Sequence, residues 1–96
     1  MKYTLIVKPE AELDMLESAQ WYESKQENLG SRFLELVDDK ILLIIDNPLH
    51  YQIRYKITRL ALVEHFPYAI HFMVEEAVIV VLAVLGTRED SNKREK

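Results

Sequence analysis

"PEAELDMLESAQWYESKQENLGSRFLELVDDKILLIIDNP", residues 9–48, decides the fold. It opens with Pro9, and Glu10, Glu12 and Asp14 follow closely. A proline without an N–H fits the first turn of a helix, and acids there complement the positive end of the helix dipole. The spacing predicts a helix over 9–26, with Met15, Ala19 and Tyr22 on one face. Leu13 and Leu16 broaden that face toward a second apolar stripe. "ENLG" (27–30) interrupts the pattern, and Gly30 or Ser31 is expected to cap a second helix over 31–46. In it, Phe33, Val37, Ile41 and Ile44 keep helical spacing. Leu34, Leu42 and Ile45 widen the apolar arc beyond what one sheet face requires. Asn47-Pro48 ends the helix, because a proline disfavours the helical conformation in the residue before it. Two helices joined by a short loop make a helical hairpin.

The flanks read as strands. "YTLIVK" (3–8) precedes the hairpin; "YQIRYKI" (51–57), continued by "TRLALVEH" (58–65), then "YAIHFMVE" (68–75) and "AVIVVLAVLG" (77–86), follow it. Alternation places Arg54 and Lys56 on one face of 51–57, and Ile53, Tyr55 and Ile57 on the other. Glu75-Glu76-Ala77 is the expected hairpin turn. Pro67 lacks an N–H for a sheet ladder, so it belongs at a bend between 58–65 and 68–75. The last strand is apolar at almost every position, so both its faces should be covered, one of them by the helices. The order is β-α-α-β-β-β, an α+β fold with the helical hairpin packed on one face of a twisted, mainly antiparallel sheet.

The chain has 96 residues, enough for one modest core, and no cysteine. Disulfides and thiolate metal sites are therefore excluded, and a cytoplasmic protein without cofactor or metal is expected. "MKYTLIVKPEAELD" lacks the apolar core of a signal peptide, and "AVIVVLAVLG" is too short to span a bilayer. Net charge is −4 and unevenly distributed. Residues 1–50 hold ten acids and five bases, whereas 47–63 hold no acid but include Arg54, Lys56 and Arg59. A local basic patch on an acidic body disfavours an unaided nucleic-acid binder.

Three pieces of the sequence carry a resemblance: "PEAELDMLESAQWYESKQENLGSRFLELVDDKILLIIDNP", "YQIRYKITRLALVEHFPYAIHF" and "VIVVLAVLGTRED". In this order and spacing the chain resembles the RelE/ParE superfamily of toxins from bacterial toxin–antitoxin modules. "WYE…LG…F", the "NP" after the second helix and "FPYAI" before an apolar strand look like the ParE-type, plasmid-stabilisation branch. The resemblance implies a single toxin domain over 1–88, and the polar composition of 89–96 is expected to make it a flexible tail. It implies a cytoplasmic growth inhibitor neutralised by a co-encoded antitoxin. The ParE-type branch implies DNA gyrase as target and no catalysis of its own. The RelE-type alternative implies a metal-independent endoribonuclease acting on messenger RNA at the ribosome.

The antitoxin would cover the apolar surplus of the helices, at Leu13, Leu16, Leu34, Leu42 and Ile45. Contacts to a target or to nucleic acid would come from Arg54, Lys56, Arg59 and Arg88. A nuclease would need a proton acceptor, a proton donor and cations for the phosphorane charge. Arg59, Arg88, Lys56 and His65 are the candidate set, with His71, Tyr68 and Glu64 as further proton carriers. Each has a plain structural alternative. Arg59 can pair with Glu64 or with an acid of the helices, Tyr68 can be a core ring, and His71 a satisfied sheet residue. His50 falls in the helix-to-strand loop. The end, "VLGTREDSNK", departs from relatives that read "VLHTSRNP". Gly86 stands in place of histidine, and Glu89 and Asp90 follow Arg88. That departure, and the absence of a C-terminal tyrosine, weigh against a nuclease and admit a third possibility: an impaired toxin that only binds its antitoxin. The sequence does not fix the oligomeric state.

Overall fold

The computed structural model describes residues 2–87. Arg88, and the tail expected over 89–96, lie outside the described residues. The elements are β1 (Thr4–Val7), α1 (Pro9–Lys25), α2 (Leu29–Asp46), a 3-10 turn (Pro48–His50), β2 (Ile53–Tyr55), β3 (Thr58–Leu62), β4 (Tyr68–Glu75) and β5 (Val78–Gly86). The expected continuous stretch 51–65 is thus two short strands. Lys56, with φ of 49°, turns the chain between them. The sheet runs β1-β5-β4-β3-β2, with β1 parallel to β5 and every other pair antiparallel.

The second helix begins two residues earlier than expected, and its N-cap is Asn28 rather than Gly30 or Ser31. Asn28 has φ of 70°, a left-handed conformation that asparagine tolerates better than most side chains. Its own side chain makes no capping bond. Instead the Glu23 carboxylate reaches across from α1 and accepts the backbone N–H groups of Asn28 at 2.8 Å and Gly30 at 2.9 Å. Two donors that α2 leaves unsatisfied are thereby taken up by a charged acceptor on its neighbour. Gly30 itself is required by proximity. A Cβ there would lie 2.3 Å from the Ala19 carbonyl oxygen, so the two helices meet backbone to side-chain-free backbone.

The core lies between the hairpin and one sheet face. Ala11 and Ala19 of α1, Phe33, Val37, Ile41 and Ile44 of α2, and Ala61, Ile70, Phe72, Ile79, Val81 and Val84 of the sheet are all buried in it. Met15 and Tyr22 pack against this core from α1, as helical spacing predicts. An aromatic cluster closes one end. Tyr22, Phe33, Phe66 and Tyr68 meet with ring centroids 4.8–6.0 Å apart, mostly edge to face. Burial, reinforced by the neighbouring Tyr68 hydroxyl, raises the Tyr22 pKa above the ordinary tyrosine value. Burial alone does the same to Tyr51.

Phe66 reaches that cluster because of the bend around Pro67. His65 is left-handed, with φ of 66°. The Tyr68 N–H donates to the Phe66 carbonyl at 2.8 Å, and the Pro67 carbonyl accepts from Thr87 N–H at 2.7 Å. Pro67 is a structural bend, at a position where no N–H is needed. The hairpin turn expected at Glu75-Glu76-Ala77 is present, with Glu76 at φ of 52° between β4 and β5.

Candidate functional site

Two surfaces hold the residues singled out by the sequence. The first is the far face of the sheet, away from the helices. Cross-strand pairing aligns Leu60, His71 and Ala83 there, with Leu62, Ala69 and Leu85 in the next row. A bulge opposite His71/Phe72 leaves Leu82 as the extra residue of β5. Just past it the Asp14 carboxylate accepts the Val84 N–H at 3.0 Å and ties α1 to the sheet. Asp14, expected to serve the helix dipole, has this longer-range role that no local pattern announced.

The far face is more closed than an ordinary solvent face. Ala69, His71, Val80, Ala83 and Leu85 are buried, which agrees with a last strand covered on both sides. Part of the cover is the β2–β3 hairpin. The Tyr55 hydroxyl lies 2.9 Å from His71 Nδ1, and Tyr55, Lys56 and Thr58 border a groove of about 370 Å³ with Lys8, Leu82 and Ala83. A second groove of about 310 Å³ is bordered by Arg54, Leu60, Ala69, His71 and Thr87.

The register shift between Ile53 and Tyr55 overturns the expected alternation in this region. Arg54 and Tyr55, expected on opposite faces, both border His71, while Ile53 and Ile57, expected on one face with Tyr55, are 50% and 55% exposed. Period-2 reasoning fails because a three-residue strand ending in a left-handed turn does not complete one regular repeat.

The candidate cations and proton carriers do not converge. Arg59 lies opposite Phe72, on the helix side of the sheet, and its guanidinium donates to the Tyr51 carbonyl. The alternative pairing of Arg59 with Glu64 or a helix acid is not formed among the described residues; Glu64 is 3.8 Å from Lys40. Lys56 is at the tip of the β2–β3 hairpin. His65 is exposed, three residues beyond the other end of β3. Tyr68 is the core ring it was expected to be, and His71 is buried against Tyr55. His50 is exposed in the 3-10 turn, its ring edge-on to Tyr51. Among the described residues, no three His, Cys, Asp or Glu side chains could hold a metal ion.

The second surface is the outer side of the helical hairpin. Leu13 and Leu16 are each 55% exposed and Leu42 is 65% exposed, whereas Leu34 and Ile45 are half-buried. Leu16 and Leu34 flank a shallow groove of about 260 Å³, whose floor is the Ala19–Gly30 contact. Leu43 and Trp21 add exposed apolar area that the sequence had not singled out. Trp21 carries Lys25 Nζ over its ring at 5.1 Å, a local cation–π contact.

Residues 5–91 match the family model of the ParE toxin of type II toxin–antitoxin systems, parDE. The chain belongs to the ParE toxin family. Eleven chains of solved structures are similar to this chain. One is described as the chromosomal ParDE toxin–antitoxin system from P. aeruginosa. It is 14% identical, aligns over 88% of this chain and 96% of the other, and has a TM-score of 0.72. At that identity the likeness is one of fold: two helices against a five-stranded mixed sheet. No curated protein matches. Among the described residues, no helix is long and apolar enough to cross a membrane.

Proposed function

We propose that the protein is a growth-inhibiting toxin of the cytoplasm, which acts by binding a cellular target and is neutralised by a co-encoded antitoxin. DNA gyrase is the target the ParE branch suggests. The antitoxin would cover Leu13, Leu16, Leu34, Leu42 and Ile45. The observation that carries this reading is the exposed apolar strip on the hairpin of a ParE-family chain. Leucines half or more in water, on a helix pair whose opposite side already fills the core, are a surface for a partner.

The endoribonuclease alternative has less support. Its candidate arginine in the described residues, Arg59, spends its guanidinium on the Tyr51 carbonyl, away from Lys56 and His65. The experiment is tightly controlled expression of this chain alone in a bacterial culture. Growth arrest is expected, relieved by the product of a small neighbouring reading frame, and excess pure protein should inhibit gyrase supercoiling. Arg59→Ala should leave arrest intact at equal soluble protein. Arrest without any effect on supercoiling would remove gyrase as the target. Normal growth with folded protein would favour the impaired toxin that only binds its antitoxin.

A further inference from the structure

The helical hairpin is much more acidic than the protein as a whole. Residues 9–46 carry ten acids and three bases, a balance of −7 within a chain of total charge −4. Each of the three bases is engaged. Lys25 sits over Trp21, Arg32 pairs with Glu35 at 2.7 Å, and Lys40 is drawn toward Glu64 on the sheet side. Of the acids, Glu23 is spent on the start of α2 and Asp14 on Val84.

Three of those remaining sit beside the leucines of the apolar strip. Asp38 is four residues from both Leu34 and Leu42, so it shares their stripe on α2. On α1, Glu12 is four residues before Leu16, and Glu17 four after Leu13. Glu12, Glu17 and Asp38 are exposed and form no ion pair with any described residue. An apolar strip with uncompensated carboxylates one helical turn from its leucines selects its occupant by charge, because a like-charged segment would be repelled at the distances where it begins to bury its leucines.

We propose that the hairpin strip takes a basic amphipathic segment. Leucine-type side chains would enter the Leu16–Leu34 groove, and lysines or arginines would face Glu12, Glu17 and Asp38. This rests on the antitoxin-binding reading above and specifies the chemistry of that partner's docking segment.

Two synthetic helical peptides of about 18 residues, five turns long, test it. They share one leucine spacing; one has a lysine-rich polar face and the other a glutamate-rich one. Binding to the full chain is read by fluorescence anisotropy at low and at high salt. The lysine peptide should bind about tenfold more tightly at low salt, and the advantage should shrink as salt rises. Glu17→Lys combined with Asp38→Lys should abolish or invert the preference. Leu13→Ser combined with Leu16→Ser should weaken both peptides; these side chains are half exposed, and a thermal melt checks that the variant folds. Equal binding of the two peptides, or a preference that survives the double charge reversal, overturns the proposal. So does binding unchanged by the serine variant. Growth arrest separates the two claims. Arrest relieved by an antitoxin, without charge preference at the hairpin, sinks this inference alone. Preference without arrest sinks the toxin reading and leaves the chemistry of the strip standing.

Discussion

The helical hairpin and the β2–β3 hairpin are both two-element units on one sheet, yet they are held by different forces. The helical hairpin is fixed by volume. Phe33, Val37 and Ile44 are fully buried, and Gly30 lets α2 approach Ala19 to backbone contact. In the β2–β3 hairpin, β3 is laddered to β4 and buries Ala61, but the edge strand β2 is held by a short pairing with β3 and a few polar contacts, Tyr55 to His71 and Arg59 to the Tyr51 carbonyl. Its own apolar side chains, Ile53 and Ile57, remain half in water. A unit held by packing opens only with the whole domain, whereas one held by single hydrogen bonds can open locally at small cost. The helical hairpin is therefore suited to present a rigid docking surface, and the edge strand β2, with its turn, to open locally at the far face.

Mutations can break this contrast. The largest effect is expected at Phe33, where Phe33→Ala removes the ring shared by α2 and the aromatic cluster. It should cost about 3–5 kcal/mol in denaturant unfolding. Gly30→Val comes next. It forces a side chain against the Ala19 carbonyl and should cost about 2–3 kcal/mol, chiefly by pushing the helices apart. Tyr55→Phe should lower global stability by only about 1 kcal/mol. It should nevertheless speed amide exchange selectively in 53–57, the edge strand and its turn. If instead it cost as much as Phe33→Ala, the β-hairpin would be part of the global core and the contrast would fail.

The smallest effect is in the pH dependence. The Tyr22 pKa is raised in the folded state, first by burial and then by Tyr68. The folded chain therefore holds that proton more tightly than the unfolded one. The resulting stability is fully present below the ordinary tyrosine value near 10 and is lost as pH rises through the folded value. Tyr22→Phe should flatten the decline of stability above about pH 10, measured against wild type by urea unfolding.

Legibility follows the same division. The helical hairpin could be read because long periodic segments state their buried face repeatedly; Met15, Ala19, Tyr22, Phe33, Val37, Ile41 and Ile44 all lie where spacing put them. Pro67 was legible as a bend because its chemistry leaves little alternative. The β2–β3 hairpin was misread because three residues cannot establish a period, and Lys56 adopts a left-handed turn that its residue type does not signal. The start of α2 is not legible because its N-cap, Asn28, makes no side-chain bond and the N–H groups there are taken up by Glu23, five residues earlier on another helix. Of the candidate site, the exposed leucines were visible as an excess of apolar positions. The turning of Arg59 to the helix side depends on a register that only the folded sheet fixes.

The parallel pairing of β1 with β5 has a consequence in the order of synthesis. Thr4–Val7 must pair with Val78–Val81, the first strand made with the last. Until β5 has been translated, β1 has no partner, the hairpin lacks Ile79, Val81 and Val84 to pack on, and Asp14 has no Val84 N–H to hold. A growing chain of this protein therefore cannot complete its core piecemeal from the N-terminus. Folding waits for β5, so β1 and the helical hairpin leave the ribosome first and stay without their sheet partner until residues 78–84 follow.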